Sequence, residues 1–119
     1  MAKTELETRT KNFALELIDL VERMPRNRAG DVVGRQLLRS GTSLGANYRE
    51  ANRAESAKDF LHKVGISTKE SAETEFWLEL IDESVHLQTD GSQELLSESR
   101  ELIAILTAIG RNAKASSKK

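Results

Sequence analysis

Apolar residues recur at every third or fourth position through four separate stretches of this chain, and a short polar break divides each stretch from the next. That spacing lines one face of an α-helix, whereas a strand buried on one side needs strict alternation. The first stretch holds Phe13, Leu17, Leu20, Val21 and Met24. Pro25 ends it, because a proline drives the residue before it out of the α region. After a connection at 26–30, Asp31 is expected to cap a second helix that reaches about Arg53, its carboxylate accepting a backbone N–H. The inner face of that helix reads Val33, Leu37, Ser40, Leu44, Asn47 and Ala51. Ser56 caps a third helix of about 30 residues, roughly 45 Å long, with Asp59 placed to complement the helix dipole. One of its stripes runs Phe60, Val64, Ser67, Ser71, Thr74, Leu78, Ile81 and Val85; beside it lie Ile66, Glu70, Glu73, Trp77 and Leu80. The segment at 89–92 breaks the pattern, and a fourth helix carries Leu95, Leu96, Leu102, Ile103, Leu106 and Ile109.

Short connections between long helices make sequential neighbours antiparallel. The fold class is therefore all-α: an antiparallel up-down-up-down four-helix bundle over residues 1–113, with 114–119 as a frayed tail. At 119 residues there is room for a single core. An apolar share of 38% with 31% charged residues suits amphipathic helices whose outer faces are solvated. Gly34, Gly41 and Gly45 form a stripe inside the second helix, each costing about 1 kcal/mol relative to alanine. Close backbone approach by a neighbouring helix would compensate for them; a break within 41–45 is the competing reading. The third and fourth helices carry apolar faces wider than one bundle core requires, and the expected use of the surplus is self-association.

Candidate chemistry is sparse. There is no cysteine, hence no disulfide, thiolate metal site or cysteine nucleophile. The charged start lacks the apolar core of a secretory signal, and no apolar run approaches a membrane span, so the expected location is cytoplasmic with no membrane partner. Glu83 and His86 have the Glu-x-x-His spacing that di-iron bundles use. The other histidine, His62, has no glutamate three positions before it, so half the ligand set is missing and no metal or cofactor is expected. The glycines at 41 and 45 lack the Gly-Lys-Ser/Thr of a phosphate loop, and two histidines in ordinary settings do not make a Ser-His-Asp site. No catalytic residue is assigned, and the chain is not read as an enzyme.

Charge is more informative in its distribution than in its net value of −1. Residues 26–53 carry six arginines against Asp31 and Glu50, whereas residues 70–101 carry ten acids against Arg100. An antiparallel hairpin pivoting near Ala54 and Glu55 sets Arg39 opposite Glu70, and Arg35 or Gln36 opposite Glu73. Carboxylates on a partly buried stripe need partners. An inward-facing Arg39–Glu70 ion pair is therefore expected, with Ser40, Ser43 and Asn47 nearby, as a polar latch that fixes helix register. Arg26, Arg28, Arg35, Arg49 and Arg53 are the candidate nucleic-acid contacts, with Tyr48 the one aromatic placed to stack beside them.

The stretch from Val33 to Ala51, Val-Gly-Arg-Gln-Leu-Leu-Arg-Ser-Gly-Thr-Ser-Leu-Gly-Ala-Asn-Tyr-Arg-Glu-Ala, resembles the signature of a bacterial family: the four-helix bundle proteins associated with intervening sequences in large-subunit ribosomal RNA genes. The run from Lys69 to Leu80 is similar to that family's third-helix motif, and Phe13-Ala-Leu-Glu-Leu-Ile18 extends the likeness over most of the chain. The resemblance implies a homopentamer. It maps the family's core motif onto Arg39, Ser40, Ser43, Asn47 and Glu50, with acids at Glu70 and Glu73. A related branch serves as the strongly basic RNA-binding accessory to the reverse transcriptase of diversity-generating retroelements, and this chain departs from that branch in net charge. The leading expectation is a non-enzymatic oligomeric scaffold that meets RNA or an RNA-associated protein through the arginine-rich start of the second helix. The alternative is a protein-interaction scaffold with no nucleic-acid contact.

Overall fold

The computed structural model describes residues 1–117. Four helices, α1 (Lys3–Arg23), α2 (Arg28–Ala51), α3 (Ala57–Glu83) and α4 (Ser92–Ser117), run up, down, up and down. They form a rod of 51 × 22 × 20 Å. Each helix packs along its sequence neighbour, and α4 returns to touch α1 more sparsely. The core is aliphatic. Phe13, Leu17 and Leu20 of α1 meet Leu37 and Leu44 of α2, Leu78 and Ile81 of α3, and Leu102 and Leu106 of α4, all essentially out of water. Each such side chain contributes about 1.5–3 kcal/mol by leaving solvent.

Helix boundaries follow local chemistry, with three departures from expectation. α2 begins earlier: Asn27, not Asp31, is its cap, in an extended conformation with Oδ1 accepting from the Gly30 N–H at 2.7 Å. Asp31 lies in the first turn, where its charge complements the dipole. α3 opens as expected, with Ser56 Oγ accepting from the Asp59 N–H. It ends at Glu83, however, so Val85 leaves the helical stripe and stands 79% exposed in the following loop. Gly91, with φ of +96°, supplies the left-handed turn that starts α4. α4 continues through Ser117, so residues 114–117, expected as a frayed tail, are helical. Lys114 and Ala115 favour helix, and no glycine or proline follows Gly110 to end it. Residues 118 and 119 of that expected tail lie outside the described residues.

α2 runs unbroken through the glycine stripe, which lets α1 approach it closely. A Cβ on Gly41 would collide with Leu17 Cδ1, and one on Gly45 would fall 3.2 Å from Thr10 Cβ. Leu95, Leu96, Leu102 and Leu106 of α4 are buried within the bundle and thicken its core, while Ile103, Ile105 and Ile109 of the same helix are only partly buried. Besides Met1 and the loop residue Val85, the large apolar side chains left in water are Leu15 and Ile18 on α1, Val32 on α2 and Phe76 on α3. Arg9 joins α1 to α4, its Nε and Nη2 donating to the two carboxylate oxygens of Glu98 at 2.6 Å each. The hydrogen bonds to Glu98 hold the Arg9 guanidinium above its ordinary pKa, against the opposing effect of burial. No helix among the described residues is long and apolar enough to cross a membrane.

Candidate functional site

The expected α2–α3 latch forms at the surface of the bundle, not within it. Arg39 Nη1 donates to Glu70 Oε2 at 3.2 Å, Nη2 reaches Glu73 Oε2, and Nε donates to Gln36 Oε1 at 3.0 Å. The Arg39 side chain is 48% exposed, so the cluster seals the outer edge of the α2–α3 seam. The reason is geometric: Arg39 sits two positions from Leu37, on the far side of α2 from the core, and only its length carries the guanidinium to α3. Glu73 takes Arg39, not Arg35, and also accepts from Trp77 Nε1 at 3.0 Å. One carboxylate thereby fixes both an arginine and an indole. A half-exposed ion pair contributes up to about 1 kcal/mol, so register must rest on the interior as well.

In that interior, small hydroxyl residues replace the single polar core that was expected. Ser40 and Thr74 meet oxygen to oxygen at 2.9 Å, and Ser67 Oγ donates to the Leu44 carbonyl at 2.5 Å. All three are fully buried. They let α2 and α3 lie close and tie one helix to the other at two levels. The other motif positions are not brought into this cluster. Asn47 Nδ2 donates to the Ser43 carbonyl and hydroxyl within α2, one turn away. Glu50 is 61% exposed and meets only Lys63, at 3.9 Å. What the Ser40–Thr74 and Ser67–Leu44 bonds do is hold α2 and α3 in register.

The five candidate nucleic-acid arginines do not form one patch. Arg26 and Arg28 flank the cap at one end of α2, and Arg35 follows two turns on. Arg49 and Arg53 lie at the other end, about 30 Å away along the axis. Arg49 is engaged with Glu7 of α1 at 3.4 Å, and Arg53 Nη1 donates to the Arg49 carbonyl. Arg26, Arg28 and Arg35 are exposed and have no acid partner among the described residues. Arg26 and Arg35 border a groove of about 340 Å³ between α1 and α2, floored by Val21, Gly34 and Leu38, with Glu22 and Asp31 on its rim. Tyr48, expected to stack beside the arginines, is 3% exposed and belongs to the core. The aromatic surface lies instead on α3. Phe76 is 51% exposed and packs edge-on against Trp77, with ring centroids 5.0 Å apart at 68°. The Glu-Phe-Trp run is plain in the sequence, but periodicity puts Trp77 on a buried-looking stripe and gives Phe76 no role.

Glu83 is the last residue of α3 and His86 lies beyond it in the loop, so the helical Glu-x-x-His geometry is lost. No three His, Asp or Glu side chains among the described residues gather in a way that holds a metal ion. Arg100 ties α4 to α3 through Glu75 at 2.8 Å and Glu79 at 3.4 Å, which accounts for two of the acids in the negative segment.

Comparison with known proteins agrees with this architecture. The family described as "23S rRNA-intervening sequence protein" matches residues 3–108. The chain is also similar to a solved protein of unknown function from the S23 ribosomal protein family of Bacteroides thetaiotaomicron. The two are 33% identical over 93% of this chain and 99% of the other, with a TM-score of 0.83. No curated protein sequence matches it.

Proposed function

The chain belongs to the 23S rRNA-intervening sequence protein family, and from that premise we propose that it is a non-enzymatic, self-associating scaffold that binds RNA or a protein–RNA particle through the start of α2. The observation that carries this reading is electrostatic. Arg9, Arg39, Arg49 and Arg100 are each neutralised by carboxylates on another helix, whereas Arg26, Arg28 and Arg35 stand exposed at one end of α2 without such partners among the described residues. An arginine whose charge is not spent within the bundle keeps its field for a phosphate, and binding gains from the counterions released. Leu15 and Ile18, uncovered on α1, support assembly with further copies, as the homopentamer implied by the family resemblance. A ring would repeat the arginine end once per subunit and turn weak single contacts into avidity.

Filter binding to a structured RNA between about 50 and 200 mM salt tests this. Affinity should fall steeply as salt rises. Replacing Arg26, Arg28 and Arg35 with glutamine should flatten the log–log slope by about 0.9 for each duplex phosphate that is no longer neutralised. Binding that is absent at low salt, or indifferent to salt, ends the RNA reading. The second reading, a protein-interaction scaffold without nucleic-acid contact, is favoured by the exposed apolar side chains Val32 and Phe76. It expects a partner that survives ribonuclease treatment.

A further inference from the structure

Arg28, Val32, Arg35 and Arg39 follow one another at intervals of four, three and four, which makes them a single outward ridge of α2; all four are exposed. Arg39 meets Glu70 and Glu73 while Ser40 meets Thr74, so the preceding turn of α2, holding Arg35 and Gln36, lies level with Trp77 on α3. On the outer surface the ridge is therefore level with the Phe76–Trp77 pair, Arg35 standing between that pair and the α1–α2 groove it also borders. The pair is braced rather than loose: Trp77 Nε1 donates to Glu73, Glu73 is held by Arg39, and Phe76 packs edge-on against the indole. The acids of this seam, Glu70 and Glu73, are the ones Arg39 neutralises. Glu79 is drawn away to Arg100, and Glu83 borders the face at the end of α3.

A row of guanidinium groups beside a fixed, half-exposed aromatic pair is what a single-stranded nucleic acid requires. Phosphates follow the cations, and an unstacked base lies on the ring. A duplex keeps its bases stacked on one another and offers no face to Phe76. Resting on the RNA reading above, we infer that the outer α2–α3 face binds single-stranded RNA, with a base on the Phe76–Trp77 pair and the adjoining phosphates along Arg28 and Arg35. Arg39 holds the Glu73 that fixes the Trp77 indole.

Trp77 is the only tryptophan in the chain, so its fluorescence reports this face alone. The probes are an unstructured RNA oligonucleotide and a blunt duplex of matching length, titrated into the intact protein while filter binding and native mass are followed in parallel. The single strand should quench Trp77 and the duplex should not. Phe76→Ala should weaken single-strand binding about 5- to 100-fold. Arg28→Gln with Arg35→Gln should lower the salt slope by about 0.7 for each phosphate of the single strand left without its arginine. Phe76→Leu, which keeps the apolar bulk without the ring, separates stacking from packing and should lose most of the same affinity. Circular dichroism establishes that each variant is folded. Salt-sensitive binding with Trp77 unquenched and Phe76→Ala without effect overturns this site and leaves the RNA reading standing. Absence of salt-sensitive binding to any probe overturns both. A drop in native mass on Phe76→Ala, with RNA affinity unchanged, assigns the face to contact between copies of the chain and overturns it as well.

Discussion

Gly30 and Gly65 should answer the same substitution in opposite directions. A Cβ on Gly30 would collide with the Pro25 carbonyl oxygen, a backbone atom fixed by the turn into α2, so the chain itself would have to move. Gly30→Ala is expected to cost about 1–3 kcal/mol despite alanine's better helix propensity. A Cβ on Gly65 meets nothing within 4 Å on the exposed side of α3, and Gly65→Ala should stabilise by about 0.5–1 kcal/mol. Urea unfolding of the two variants checks both signs. The stripe of Gly34, Gly41 and Gly45 points to a close neighbour from sequence alone, because three glycines in a helix interior need a compensating contact. That the neighbour is α1, through Leu17 and Thr10, depends on which helix lies alongside, and no local rule supplies that. Arg39 and Glu70 can be paired from sequence because hairpin register is set by the position of the connection. Their depth cannot, since an arginine rooted on the outer side of a helix can still reach across a seam. Tyr48 and Phe76 show the limit most plainly: both sit in mixed surroundings along the chain, yet one is sealed in the core and the other lies open.

At the scale of the helix, α2 has two residues able to cap it, and the backbone uses the first. Asn27→Ala should cost about 1 kcal/mol by leaving the Gly30 N–H without its acceptor, whereas Asp31→Ala should stay within about 0.5 kcal/mol. Thermal unfolding of the pair distinguishes the observed cap from the one that hydrophobic spacing favours. The spacing misplaces the start because its first buried apolar contact is Val33, while residues 28–30 are helical without contributing a large side chain to the core. The same limit explains the far end of α3. Val85 continues the three-and-four pattern after the helix has stopped, and periodicity cannot see that Ser84 has turned to an extended conformation. Both sides of the apolar face of α4 are legible as leucine and isoleucine. Whether the second side fills a thick core or meets another molecule depends on the distance to α1 and α3, and the leucines settle inward.

For the whole molecule, the order of the helices and their antiparallel sense follow from four amphipathic periods and three short connections. The distribution of surface does not, because it emerges only when all four helices are in place. Leu15 and Ile18 on α1 end up in water, on the side of that helix away from Leu17 and Leu20. If these two side chains join copies of the chain, native mass spectrometry should find an assembly well above the 13.3 kDa of one chain. Leu15→Asp with Ile18→Asp should return it to that mass while helicity is retained. A wild-type protein that already runs as one chain refutes self-association, and a variant that keeps the assembled mass places the contact on another surface. The up-and-down threading also bears on how the molecule comes into being. α1 with α2, α2 with α3 and α3 with α4 are each successive along the sequence, so every one of these hairpins can close as soon as its later member has emerged from the ribosome. The seam between the first and last helices, where Arg9 grips Glu98, is the one that joins elements far apart in the sequence. That seam is the sparsest in the bundle, so nearly all of the packing joins helices that follow one another directly along the chain.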